Sequence, residues 1–179
     1  MRYRDSKSAL DTSKKILKVN HAGEFGAVNI YRAQLLVARR VMKDLVPLLE
    51  DFLSDEKRHL DIFWSEIQNR NGVKCKSYWL CGVGGYFMGF FSSLLGRRGI
   101  MACTWAVESV VVDHLHNQIA YLKEKDDLAA LKAVEAILED EQNHRDTGFT
   151  QGGTGNILYK PLRFAISTFT EGVIRFGMR

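Results

Sequence analysis

One spacing occurs twice in this chain, and it constrains both the fold and the chemistry. Glu24 is followed by Glu56 and His59, and Glu108 by Glu141 and His144. The lone Glu precedes its Glu-x-x-His by 32 residues in the first half (24 to 56) and by 33 in the second (108 to 141). The second set repeats the first at an offset of 84 or 85 (24 to 108, 56 to 141). Residues three apart share a face of an α-helix, so each Glu-x-x-His aims two ligand atoms at one centre. Four helices would thus supply four carboxylates and two imidazoles. Ordinary solvated helix faces would explain an isolated Glu-x-x-His, but not a lone Glu at matched distance before each.

The rest of the sequence suits such helices. Only Pro47 and Pro161 interrupt it, and no stretch alternates as a set of strands would. Helices are predicted from about Thr12, capped by Asp11, Thr12 or Ser13, to Met42, and from Leu45 to Asn69. Others are predicted from Gly99 to Lys123 and from Asp126 or Asp127 to Thr147. A Gly148–Gly155 loop and a last helix, Asn156–Gly177, kinked at Pro161, complete the layout. In an antiparallel hairpin, facing residues lie equally far from the turn. The midpoint of Glu108 and Glu141 falls in the charged run 123–127, and that of Glu24 and Glu56 near Arg40, shortly before Lys43, Asp44 and Pro47. The expected fold is an all-α, ferritin-like four-helix bundle in one domain, 1–179, with an apolar crossover and an additional C-terminal helix.

Composition narrows the partners. At 179 residues there is room for one ordinary core and not for a second catalytic domain. A net charge of +4, with basic pairs scattered along the chain, argues against nucleic acid and suits an anionic membrane surface. Cys75, Cys81 and Cys103 lack C-x-x-C spacing, and no apolar run follows the charged N-terminal residues, so a reducing compartment is expected.

Tyr78–Leu95 is eighteen residues without a charge, rich in Phe and Leu and carrying Gly82, Gly84, Gly85 and Gly89. Its length meets the lower limit of a span. The glycines and the adjacent Arg97 and Arg98 favour an interfacial or re-entrant segment, with a buried crossover helix as the alternative. The apolar and cationic terminal helix is a second candidate for the membrane surface.

Four carboxylates neutralise two divalent ions, and oxygen donors with one imidazole per ion suit iron or manganese better than zinc or copper. Six residues do not fill two octahedra, so positions stay open for water or dioxygen. Asp55 and Asp140 precede Glu56 and Glu141 and read as helix-surface charges, with support of the metal ligands from outside as the alternative. His21 reads as a capping or core residue, and His114 and His116 are not assigned as ligands. Gly82-Val-Gly-Gly85 follows no strand, which excludes a Rossmann site.

Several segments carry a resemblance: VNHAGEFG at 19–26, DEKRHL at 55–60, MACTWAVE at 101–108, Asn117-Gln118, and EQNHRDTG at 141–148. With these the chain resembles the demethoxyubiquinone hydroxylases, membrane-associated di-iron monooxygenases of ubiquinone synthesis. The resemblance implies that Glu24, Glu56, His59, Glu108, Glu141 and His144 hold two iron ions, with Glu56 and Glu141 as bridges. It implies NADH as electron donor and hydroxylation of a polyprenylated demethoxy-benzoquinol by dioxygen. It also implies a peripheral site on the cytoplasmic face of a bacterial inner membrane, or the matrix face of the mitochondrial one. An accessory lipid-presenting protein or a homo-oligomer is a further possible partner. Where family members carry a second Glu after the third ligand and a His-Tyr pair, this chain has Ser109 and His114-Leu115. A ferritin-like iron-binding protein and a manganese catalase are the alternatives, neither of which needs the apolar segment.

Overall fold

The computed structural model describes residues 2–153 and 159–179, the side chains of 2–9 excepted. Among them are six α-helices and no strand: α1 Arg2–Val41, α2 Val46–Asn69, α3 Tyr78–Leu94, α4 Gly96–Glu124, α5 Leu128–Gly148 and α6 Lys160–Met178. The architecture is the expected ferritin-like bundle, in which α1 pairs with α2 and α4 with α5. The second hairpin turn, residues 125–127 between α4 and α5, falls at its ligand midpoint, and the first, a 3-10 turn at Lys43–Leu45, lies a few residues beyond Arg40.

The second turn is tied to the opposite hairpin. Asp127 caps α5 by accepting a hydrogen bond from Ala130 N. Arg70, at the end of α2, donates to both Asp127 carboxylate oxygens at 2.8 Å. One guanidinium thereby fixes the ends of two helices in a bidentate pair.

Three boundaries differ from expectation. α1 runs back to Arg2, so Asp11, Thr12 and Ser13 lie inside the helix rather than capping it. Gly148 belongs to α5 and a π turn, Phe149–Gly153, follows it; residues 154 and 155 of the expected loop lie outside the described residues. Pro161 sits in the first turn of α6. Its missing N–H would be unpaired there in any case, so it starts the helix instead of kinking it.

The apolar segment is a continuous helix. α3 lies along α1 by its small residues: a Cβ on Gly85 would stand 2.3 Å from Gly26 O, and one on Gly89 2.2 Å from Ile30 O. These glycines therefore set the approach of two backbones. Gly96, at φ +73°, allows α4 to start one residue after α3. The outward face of α3 exposes Trp79, Val83, Phe87, Phe91 and Leu94. Among the described residues no helix is long and apolar enough to cross a membrane.

Candidate metal centre

Heptad spacing places the six residues at inward positions of the bundle. Leu17, Glu24, Tyr31 and Ala38 recur every seventh residue of α1, and Met101, Glu108, Leu115 and Leu122 every seventh of α4. On α2, Glu56 lies between Leu49 and Phe63, with His59 seven after Phe52; on α5, Glu141 follows Val134 and His144 follows Ile137. One apolar cluster, with Leu17, Phe63, Leu115 and Ile137, and another, with Tyr31, Leu49, Phe52 and Met101, flank this polar belt. Each of the six side chains occupies a site that a bundle normally gives to Leu or Phe, and none is more than 5 % exposed.

The belt forms two overlapping sets. Glu24, Glu56, His59 and Glu141 can place one ligand atom each within 4.8 Å of the others, and so can Glu56, Glu108, Glu141 and His144. Glu56 and Glu141 belong to both. His59 Nδ1 lies 2.9 Å from Glu141 Oε1, and His144 Nδ1 lies 3.3 Å from Glu56 Oε1. Yet both Nδ1 atoms and both oxygens of Glu56 and of Glu141 have no aligned hydrogen-bond partner. The donors face common points rather than one another.

The other imidazole nitrogens are held from outside. His59 Nε2 is 3.1 Å from Asp140 Oδ2, and His144 Nε2 is 3.3 Å from Asp55 Oδ2. Arg58 joins both aspartates, at 3.0 Å and 2.7 Å. This corrects the reading of Asp55 and Asp140 as surface charges. A residue preceding a ligand is rotated about 100° from it on its own helix. That direction meets the neighbouring helix, where the other half's imidazole sits. Such carboxylate–imidazole pairs fix the tautomer of a metal-binding histidine.

Tyr31, which sequence reasoning missed, donates its hydroxyl to Glu108 Oε1 at 3.2 Å. Its signal was available: it lies seven residues after Glu24, on the same face. His21 is a core residue, as expected, stacked on Trp64 and Tyr78, with burial pushing it down to about 4. His114 and His116 lie outside both sets and contact Glu171 and Gln142.

The electrostatics show what the belt lacks. Burial, then repulsion from Glu141 and Glu56, raises Glu24 and Glu108 well above the usual carboxylate range. Burial and Glu56 raise Glu141. Burial also works against ionised Glu56, but the two imidazoles prevail and hold it at about 2. His59 is driven to about 12 by Glu141 and Glu56 against its own burial. The charged groups that chiefly shift these four carboxylates are one another and the two imidazoles, with no Lys or Arg among them. Burying an uncompensated charge costs several kcal/mol per ion, so four carboxylates here call for cations, and two divalent ions match them. The donor set fits such a pair, with Glu56 and Glu141 shared between the two positions.

A cleft leads to the belt. Residues of α1, α3, α4 and α6 enclose about 760 Å³, open solvent at the mouth included, and Glu24 and Glu108 lie in its wall. Ile30, Met88, Val107, Val111, Phe169 and Val173 are among its apolar lining residues.

Comparison with known proteins gives the family. The family model described as "Ubiquinone biosynthesis protein COQ7" matches residues 11–177. The chain belongs to that family. It is 32% identical over 164 residues to a Caenorhabditis elegans protein named NADPH-dependent 3-demethoxyubiquinone 3-hydroxylase, mitochondrial, covering 90% of this chain and 87% of the relative. It is 30% identical to the Dictyostelium discoideum protein of the same name, over 93% of this chain and 76% of the relative. A Rhodospirillum rubrum protein named 3-demethoxyubiquinol 3-hydroxylase is 35% identical over 77% of this chain and 64% of its own length.

The match spans all six belt residues together with α3 and most of α6. As a COQ7-family chain this is a protein of ubiquinone biosynthesis whose relatives are named as hydroxylases. The Caenorhabditis elegans and Dictyostelium discoideum proteins are named as NADPH-dependent, where the resemblance implied NADH.

Proposed function

We propose that this chain hydroxylates the ring of a polyprenylated demethoxy-benzoquinol, using dioxygen and a reduced nicotinamide, with two iron ions held by the six belt residues. The observation that carries the reading is the cleft: its apolar wall ends on Glu24 and Glu108, the two carboxylates not shared between the metal positions. A hydrophobic ring entering the cleft would meet the centre on that side. Iron bound in the belt would supply dioxygen activation.

The protein's own residues do the rest. Glu56 and Glu141 would serve both ions, and Asp140 and Asp55 hold Nε2 of His59 and His144 from outside so that each Nδ1 faces the belt. Tyr31 fixes one oxygen of Glu108. The apolar wall excludes water and stabilises the ring and the first part of its tail by burial. The exposed aromatic face of α3, with Phe164 and Phe176 of α6, supports peripheral docking on an inner membrane, bacterial or mitochondrial, where the substrate dissolves.

The test is isotopic. Iron-loaded protein, a short-tailed demethoxy-quinol, labelled dioxygen and either NADH or NADPH should give one labelled oxygen in the ring, the second leaving as water, with one nicotinamide oxidised per hydroxyquinol formed. Ring oxygen derived from water would overturn the reading. Iron oxidation without ring product would indicate a ferritin, and dioxygen release from peroxide without nicotinamide a catalase.

A further inference from the structure

The belt is close to two-fold symmetric, and the symmetry fails at one hydroxyl. The contacts of one hairpin recur in the other: His59 Nδ1 faces Glu141 as His144 Nδ1 faces Glu56, and Asp140 backs His59 as Asp55 backs His144. The ligand offset of 84 or 85 residues thus carries positions of the first hairpin onto counterparts in the second. Tyr31 on α1, which donates to Glu108 Oε1, maps by 84 (31 to 115) onto Leu115 on α4. The counterpart of that bond would run from residue 115 to Glu24, and leucine has no hydroxyl to make it. Phe52, whose ring centroid lies 4.2 Å from that of His144, maps by 85 (52 to 137) onto the aliphatic Ile137. Tyr31 also stands edge-on to His144, at 6.3 Å between centroids. Glu108 and His144 are therefore backed by a phenol and a second aromatic ring. Among the described residues Glu24 has no hydrogen-bond partner outside the belt.

We propose that Tyr31 makes the two metal positions unequal: the position of Glu108 and His144 holds its ion more tightly, and that of Glu24 and His59 is the labile one. The proposal rests on the reading of the belt as a site for two ions. A buried hydroxyl that bonds one carboxylate oxygen fixes the rotation of the group, so less freedom is lost when an ion takes the other oxygen. Tyr31 is itself 1 % exposed and packed on Phe52, at 5.4 Å between centroids, so the donor is held as firmly as the acceptor. Glu24 keeps its rotation and can turn aside as its ion exchanges a ligand. Tyr31 is a positioning residue that acts through Glu108.

The test is metal binding alone, without quinol or dioxygen. Ferrous iron is titrated anaerobically in competition with a chromophoric chelator. Neighbouring cations repel and would fill even equal positions in steps, so variants that spoil one position at a time are needed. His59→Ala leaves the set of Glu56, Glu108, Glu141 and His144 whole, and His144→Ala leaves that of Glu24, Glu56, His59 and Glu141. Each should retain one ion, the His59→Ala protein holding it about 10-fold more tightly. Adding Tyr31→Phe should weaken binding by about that factor in the His59→Ala protein and leave the His144→Ala protein unchanged. If either histidine variant fails to fold, as read by circular dichroism, Tyr31→Phe alone takes its place: the tighter of the two stepwise constants should fall several-fold while the weaker holds. Equal affinities in the two histidine variants, or a Tyr31→Phe effect that is absent or shared by both positions, would overturn the proposal. Unaltered protein that takes up no second ion would remove the two-ion reading itself, whereas two equal ions would remove this inference and leave that reading standing.

Discussion

Asp140 on α5 meets His59 on α2 through Oδ2 and Nε2 at 3.1 Å, so the helix bearing one Glu-x-x-His orients the imidazole of the other. Asp55 and His144 make the reciprocal contact at 3.3 Å. Removing a partner of this kind typically weakens metal binding about 10–100-fold. Asp140→Ala and Asp55→Ala should each do so, read by competition with a chromophoric chelator. Asn in place of either should cost less, since its amide oxygen still accepts. Unchanged affinity in both alanine variants would return these residues to the role of surface charges.

Stripping the metal should make stability fall with rising pH. Glu24, Glu108 and Glu141 are raised above the carboxylate range by burial and mutual repulsion. His144 is raised by Glu56, and His59, at about 12, by Glu141 and Glu56, both against burial. A raised group binds its proton more tightly in the folded state. Its contribution is complete below the unfolded pKa and is lost as pH climbs through the folded one. Glu56, at about 2, acts in the opposite sense, but only below the ordinary carboxylate range. The melting temperature of metal-free protein should therefore drop from about pH 5 to about pH 8, each proton contributing up to about 1.4 kcal/mol per pH unit. Metal-loaded protein should show a much flatter curve, because cations replace those protons. Parallel curves for the two forms would contradict this account.

Gly89 and Gly85 should not tolerate a side chain. The added Cβ would fall 2.2 Å from Ile30 O and 2.3 Å from Gly26 O, and backbone cannot swing aside as a flexible side chain can. Gly89→Ala is expected to cost about 1–3 kcal/mol through forced separation of α3 from α1. Gly172→Ala is the control: a Cβ there meets nothing within 4 Å, and the change should stabilise α6 by about 0.5–1 kcal/mol. Thermal melts of the two variants should move in opposite directions.

Arg70→Gln should loosen the ends of both hairpins. It removes the bidentate bond to Asp127 and the 2.7 Å contact with Glu66, at an expected cost of about 1–3 kcal/mol. Arg70 holds Asp127 at about 2 against partial burial. Because that pKa is depressed, the stabilisation is complete above the ordinary Asp range and is lost as pH falls towards 2. Acid melts should show this loss in the unaltered protein and little of it in Arg70→Gln.

Membrane docking is checked at Phe87 and Phe91, which are 56% and 58% exposed on α3. Replacing both with Asp should release the protein from anionic vesicles in a flotation assay while iron content holds, since a charge at an apolar interface carries a desolvation cost. Loss of iron together with binding would mean that this face supports the fold instead.

The sequence alone determined the belt and the hairpins. A Glu-x-x-His must share a helix face whatever surrounds it, and matched distances from two turns put both sets at one height; these are properties of helix geometry, fixed by spacing. The outer partners of the histidines lay beyond such reasoning, because Asp140 and His59 are 81 residues apart and meet only through the packing of α5 against α2. The same holds for α3. Its composition marked it as apolar, but which face is buried depends on backbone approach at Gly85 and Gly89, and that was decided by the surface of α1. The cleft is wholly tertiary: four helices form its wall, and the pairing of His114 with Glu171 exists only because α6 returns across α4. Local periodicity fixes what one helix presents, whereas contacts between distant helices depend on how their surfaces interlock.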